Sequence, residues 1–232
     1  PEMLQAEFDS IVPAVGYKYN LGISAFTITD ERKEVVDFIP AFHVGEAFAV
    51  QAGNPSNVSD PSEDEFALCG MRVGVQIGTV EELELDDSSE KCVEAGQEPI
   101  ESWRWPMDMQ AATALNGGRI DILYTDLPIV NYLEKQTQGD IIGWGKPVNF
   151  AYHGIAINKN DVELREAVRA ALIYLMDNGI YSDIMKYWGQ SNIAFEDESQ
   201  VDTQQEFYEN KSEEQILREK SIEIDSEFVA NN

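Results

Sequence analysis

Apolar positions along this chain fall into short runs that alternate with longer stretches whose apolar residues recur three and four apart. The runs at Leu21-Gly22-Ile23, Glu46-Ala47-Phe48-Ala49-Val50-Gln51 and Arg72-Val73-Gly74-Val75-Gln76 read as strands. So do residues 99–103, 120–124, 141–143 and 150–158, and Val35-Val36-Asp37-Phe38 forms a further apolar segment. Residues 8–15 read as a short helix with Asp9 as its N-cap and Pro13 near its start. Asp108 is the expected cap of a helix over residues 109–116, which Gly117-Gly118 ends. Residues 162–176 place Leu164, Val168, Leu172 and Leu175 on one side of a helix, and residues 181–189 form a last short one. Strands alternating with helices predict an α/β chain. The breakers Gly53-Asn54-Pro55-Ser56 and the acidic loop 60–65 mark a boundary, the first of two crossings between lobes.

Bulk composition narrows this picture. With 232 residues, 43% of them apolar, the chain suffices for one large domain or two small lobes. No apolar run reaches the eighteen or so residues of a membrane span. A net charge of −27 would repel a phosphate backbone, which excludes nucleic acid as a partner. It implies a solvated acidic surface that weakly favours cationic solutes. The opening Pro1-Glu2-Met3-Leu4-Gln5 has no basic start and no apolar core, so no secretion leader is visible and whatever came first is expected to have been removed, by processing or otherwise. From Phe195 onward twelve acids face three bases, which predicts a solvated tail with a charged helix over residues 212–228. The two cysteines, Cys69 and Cys92, would close a loop of about 24 residues worth roughly 3 kcal/mol, but two cysteines alone leave their pairing open.

Candidate chemistry is concentrated in three places. Ser24-Ala25-Phe26-Thr27-Ile28-Thr29-Asp30-Glu31-Arg32 sets small and hydroxyl residues just ahead of one arginine. Arg32 can grip a carboxylate with two parallel charge-assisted bonds, and the Thr27 hydroxyl with the Ala25 carbonyl can accept from an ammonium group. A polar turn with a solvated arginine explains the same residues. Gly78-Thr79 follows a strand, and Thr79 with Glu82 fits a capping box. Such a helix start offers free N–H groups to an anion, yet an ordinary capped helix also accounts for it. Asp126, after the strand at 120–124, is either the N-cap of the next helix or the counter-ion of a ligand amine; the local pattern does not separate the two. His43 and His153 have no partnered nucleophile and read as packed or surface residues. Trp103 and Trp105 read as packing residues. No metal-ligand spacing is present, and no cofactor or metal is expected.

Several of these stretches resemble one family, the extracellular solute-binding proteins that serve polar amino acid ABC transporters. The Ser24–Arg32 motif followed by Val-Val-Asp-Phe is similar to its signature, and Gly-Arg-Ile-Asp-Ile with Thr-Asp-Leu-Pro is similar to its second anchor. The Tyr-Trp-Gly finish at 187–189 matches too, so the likeness covers residues 8–189. The resemblance implies a two-lobed, type II periplasmic binding fold that lacks part of its first lobe. Residues 1–48 would belong to that lobe, 49–152 to the second, 153–194 to the return, and 195–232 to an acidic extension. It also implies a hinge near Gln51 and Tyr152. The implied ligand is a free polar amino acid, with the acidic balance and Gln76 tilting toward cationic or polar ones, held by Ala25, Thr27, Arg32, Gln76, Gly78, Thr79 and Asp126. Arg32 would take its carboxylate and Asp126 its amine, while Gln76 would aim its amide at the ligand's side chain. Leu-Cys-Gly and Lys-Cys resemble a cystine-bearing subgroup, implying a Cys69–Cys92 disulfide in an oxidising compartment. The implied partner is a membrane permease and the implied location is extracytoplasmic, with a lipid anchor as one possibility. A cyclohexadienyl dehydratase-like enzyme on the same scaffold and a receptor ectodomain are the alternatives.

Overall fold

The apolar runs pair into one sheet in the computed structural model, which describes residues 2–201. In chain order the elements are α1 (Phe8–Ala14), β1 (Leu21–Thr27), α2 (Asp30–Val35), β2 (Val36–Gln51), β3 (Arg72–Gln76), α3 (Val80–Glu94) and β4 (Glu101–Trp105). They continue as α4 (Asp108–Asn116), β5 (Ile122–Asp126), α5 (Leu127–Gln136), β6 (Ile141–Asn158), α6 (Val162–Asp177) and α7 (Ile180–Trp188). The six strands lie in the order β1-β6-β2-β5-β3-β4. β3 runs parallel to both β4 and β5, while β1, β2 and β6 form antiparallel pairs.

Two long strands carry the architecture. The apolar segment that ends at Phe38 and the strand expected at 46–51 run together as β2, and the strands expected at 141–143 and 150–158 are one strand, β6. The β2–β6 ladder absorbs Pro40 and Gly45 in register shifts between Pro40 and Phe42 and between Val44 and Glu46. A Cβ on Gly45 would lie 2.8 Å from the Phe150 ring, so this glycine serves close packing rather than a chain break. Gln51 pairs with Ile141 and Tyr152 with His43, so the two positions expected to share a hinge stand at different levels of the ladder.

The long strands pass through two regions of core. One gathers Phe26, Val36, Phe38, Ile39, Tyr152, Ile157 and Leu172 beneath α1 and α6. In the other, alternation along β2 sends Ala47 and Ala49 to one face with Leu115, Leu123 and Leu133, and Phe48 and Val50 to the other with Val73, Leu85 and Ile122. Covered on both faces, these strands read as near-continuous apolar runs. Trp103 and Trp105 stack at 6.0 Å on the edge strand β4.

Helix ends differ from expectation in three places. Asp9 lies in the first turn of α1, whose N-cap position is Glu7. Asp108 is likewise the first residue of α4, after Met107. The six-residue α2 was not foreseen; Thr29 caps it by accepting from the Arg32 N–H at 3.2 Å. Phe195 and Val201, placed by composition in a solvated tail, are buried in the first core. The helix expected over 212–228 lies outside the described residues.

Cys69 and Cys92 form a disulfide that ties the loop before β3 to the last turn of α3. It closes a sequence separation of 23 residues. Reduction, or Cys69→Ser, should lower stability by about 3 kcal/mol in a urea melt. A loss under about 0.5 kcal/mol would show that the reduced chain already holds this loop in place.

Candidate functional site

Arg32 sits in the first turn of α2, where the N-cap at Thr29 fixes its backbone and turns its side chain toward β3. Its Nη1 donates to the Thr27 carbonyl at 2.8 Å and its Nη2 to the Gly78 carbonyl at 2.9 Å. The guanidinium also lies over the Phe8 ring, 5.6 Å from its centroid. A guanidinium has five N–H donors, so these two bonds leave others available. Burial lowers its pKa, and the charges of Glu81, Asp126 and Glu31 oppose that shift.

Gly78 turns the chain from β3 into α3 with φ +80°, where a Cβ would also lie 2.6 Å from that of Asp9. Glycine is required there on both counts. The Thr79 hydroxyl donates to the Gln76 carbonyl at 2.9 Å and accepts from the Glu82 N–H at 3.3 Å. The expected capping box is shifted by one residue, because Glu82 Oε2 accepts from the Gly78 N–H at 2.7 Å rather than from that of Thr79. Gln76, expected to offer its amide to a ligand side chain, donates it to the Pro106 carbonyl at 2.9 Å.

Asp126 occupies the N-cap position of α5, yet its carboxylate makes no capping bond. It lies instead 3.6 Å from Nε2 of His153, which is also 3.4 Å from the Thr27 hydroxyl. His153 is fully buried, and burial together with the nearby Arg32 charge lowers its pKa to about 3, so the ring is neutral. Burial raises the Asp126 pKa well above the usual carboxylate range, reinforced by Glu81, Glu46 and Asp108 and opposed by Arg32.

A cavity of about 70 Å³ is lined by Phe8, Ser24, Ala25, Thr27, Arg32, Gln76, Thr79, Glu81, Asp108, Thr125, Asp126 and Ile129. Six of the seven candidate ligand residues meet there. The seventh, Gly78, lines a larger neighbouring cavity of about 460 Å³, together with Val12, Pro13, Phe26 and Leu83. That second space is walled mainly by apolar side chains. Convergent polar groups, not volume, mark the smaller one as the candidate site.

Two carboxylates in this cavity escaped the sequence reading. Asp108 was taken as a helix cap, but its Oδ1 accepts from the Thr125 hydroxyl at 2.9 Å, and burial raises its pKa to about 6. Glu81 was passed over as an ordinary first-turn residue of α3; it is only 4% exposed, and burial raises its pKa to about 7. The signal that could have found them is their place in the chain. β3, β4 and β5 are parallel, so the residues just after each strand share one edge of the sheet.

A second acidic group borders the first. The Tyr124 hydroxyl is within hydrogen-bonding distance of both Glu46 Oε2 and Glu84 Oε2, and Asn149 Nδ2 donates to the same two oxygens at 2.9 and 2.7 Å. One phenol carries one proton and can donate to one of these oxygens only, a crowding that a proton on Glu46 relieves. Burial, with Glu84 and Glu81 nearby, raises the Glu46 pKa to about 9.

Comparison with known proteins gives a consistent picture. The profile of the bacterial extracellular solute-binding proteins, family 3, matches residues 1–191. The arginine-binding protein ArgT of Corynebacterium glutamicum is 34% identical over 187 residues, covering 80% of this chain. This chain spans 60% of the length of that relative. An ancestral arginine-binding protein solved with arginine bound is 30% identical, with a TM-score of 0.68 over 81% of this chain and 79% of that one. The ancestral amino acid-binding protein AncCDT-1, a precursor of cyclohexadienyl dehydratase, is 26% identical with a TM-score of 0.69, over 81% of this chain and 77% of its own.

Proposed function

This chain belongs to the bacterial extracellular solute-binding proteins of family 3, and we propose that it binds a free amino acid with a basic side chain, arginine first, outside the cytoplasm for uptake by an ABC transporter. The observation that carries the reading is the meeting of Arg32 and Asp126 in one cavity, the first following the edge strand β1 and the second ending β5, with β6 and β2 between those strands. A zwitterion offers one carboxylate and one ammonium group on the same carbon. Arg32 would take the first with charge-assisted bonds, and Asp126 the second, beside the Ala25 carbonyl and the Thr27 hydroxyl. With the Thr79 hydroxyl and the Gly78 N–H both committed to the protein, this turn would act through the remaining backbone N–H groups at the start of α3.

The space is small enough that side-chain entry requires the cleft to open. The Arg32–Gly78 bond joins α2 to the turn before α3 and would be exchanged for ligand contacts in that motion. Bending would fall where β2 and β6 pass between the cores, about residues 42–46 against 148–152, rather than at Gln51. The permease would read the closed form.

A calorimetric screen of the twenty amino acids tests the proposal. Arginine should bind with micromolar Kd, worth about 8 kcal/mol, and at a hundredfold excess over Kd it should stabilise the fold by about 2.7 kcal/mol. Binding by no amino acid would overturn the reading. The buried acid at Asp126 also has the character of a general acid, so an enzyme on this scaffold is the second reading. Quantitative recovery of the unchanged amino acid after incubation separates binder from enzyme.

A further inference from the structure

Resting on the reading of the cleft as an amino acid site, we propose that Glu81 sets its charge preference, selecting ligands with a positively charged side chain over uncharged ones of the same shape. Three acids line the small cavity: Glu81, Asp108 and Asp126. Two of them face groups from other elements. Asp108 accepts from the Thr125 hydroxyl on β5, and Asp126 lies against His153 on β6. The groups that stabilise the Glu81 carboxylate are Thr79 and its own backbone N–H, both at the start of its own helix.

Counting charges shows what this arrangement lacks. Arg32 matched to the ligand carboxylate and Asp126 to its amine leave two buried acids without a counter-charge, Asp108 held by the Thr125 hydroxyl and Glu81 by no group from another element in the hydrogen bonds found among the described residues. An uncharged amino acid leaves that deficit in place, whereas a guanidinium or ammonium on the side chain removes it. An uncompensated buried carboxylate is costly, and pairing it in a desolvated cavity strengthens the attraction. The upward shift of its pKa to about 7 is the same deficit expressed as a proton affinity. The partial positive charge at the start of α3 supports the carboxylate but does not neutralise it.

The test compares arginine with citrulline, which has nearly the same shape and no side-chain charge, by calorimetry on the wild type and on Glu81→Gln. The wild type should favour arginine by at least 30-fold, and Glu81→Gln should shrink that ratio at least tenfold, chiefly by weakening arginine. Glu81→Ser, also suited to a first helical turn, repeats the measurement should the glutamine variant fail to fold, and Glu81→Asp should restore much of the preference. An unchanged ratio would overturn the proposal, including the case where both affinities fall together because Glu81 only braces its helix. A wild type that binds both ligands equally would overturn it as well. A wild type that binds neither, nor any other amino acid, would instead remove the reading of the cleft on which it rests.

Discussion

Arg32→Ala should lower amino acid affinity by about two to four orders of magnitude, the scale of about 3–5 kcal/mol that accompanies loss of one partner from a buried charge pair. The fold itself should lose less, about 1–3 kcal/mol, because the side chain also holds the Thr27 and Gly78 carbonyls. Arg32→Lys separates charge from shape. It keeps the cation but loses the planar fork, so its affinity should fall between those of the wild type and the alanine variant. Asp126→Asn should weaken binding comparably from the other side, since it keeps the size and removes the counter-ion of the amine. Calorimetric titration of the three variants checks this. Unchanged affinity in both Arg32→Ala and Asp126→Asn would end the clamp model.

The ligand-free protein should be most stable in mild acid and weaken steadily as pH rises to 9. Glu46 has a folded pKa of about 9 against an ordinary value of 4.5, so between those values the folded state holds a proton that the unfolded state has released. Folding stability then falls by about 1.4 kcal/mol per pH unit for that group, from the acid side through the folded pKa. Glu81 and Asp108 act in the same direction, but only up to about pH 7 and about pH 6. Asp121 acts in the opposite sense at the acid end. Its pair with Arg72 lowers its pKa to about 2, so its contribution is present above about pH 4 and lost as pH falls toward 2. Glu46→Gln mimics the protonated carboxyl and should flatten the profile from pH 7 to 9. Urea melts of both proteins across that range supply the measurement, and a flat wild-type profile would show that no proton is shared at the Glu46–Glu84–Tyr124 cluster.

The two expectations differ in how far the sequence announced them. Arg32, Thr27 and Asp126 lie in segments with clear local signals: an arginine after a run of hydroxyls, and an acid at the end of an apolar strand. Nothing local announces Glu46, a single acid in an apolar run, whose partners Glu84, Tyr124 and Asn149 are 38, 78 and 103 positions away, the last two separations being those of their direct bonds to it. Likewise Thr29 and α2 were hidden because a six-residue helix leaves too short an apolar period to detect.

By itself the chain determined the α/β class, most of its strands and helices, and the residues that carry the motif chemistry, because these depend on period and on neighbours a few positions apart. Only the tertiary structure decided that β2 and β6 run unbroken through both cores, since a ladder of partners can carry a strand across Pro40 and Gly45 where local propensity would end it. It also decided which polar groups are taken within the protein and which line the cavity: the Thr79 hydroxyl and Gln76 amide donate to backbone carbonyls, while Glu81 and Asp108 are drawn into the cavity wall. Burial is the physical reason, because a carboxylate's charge preference and proton affinity depend on what surrounds it in space, and sequence distance carries no measure of that.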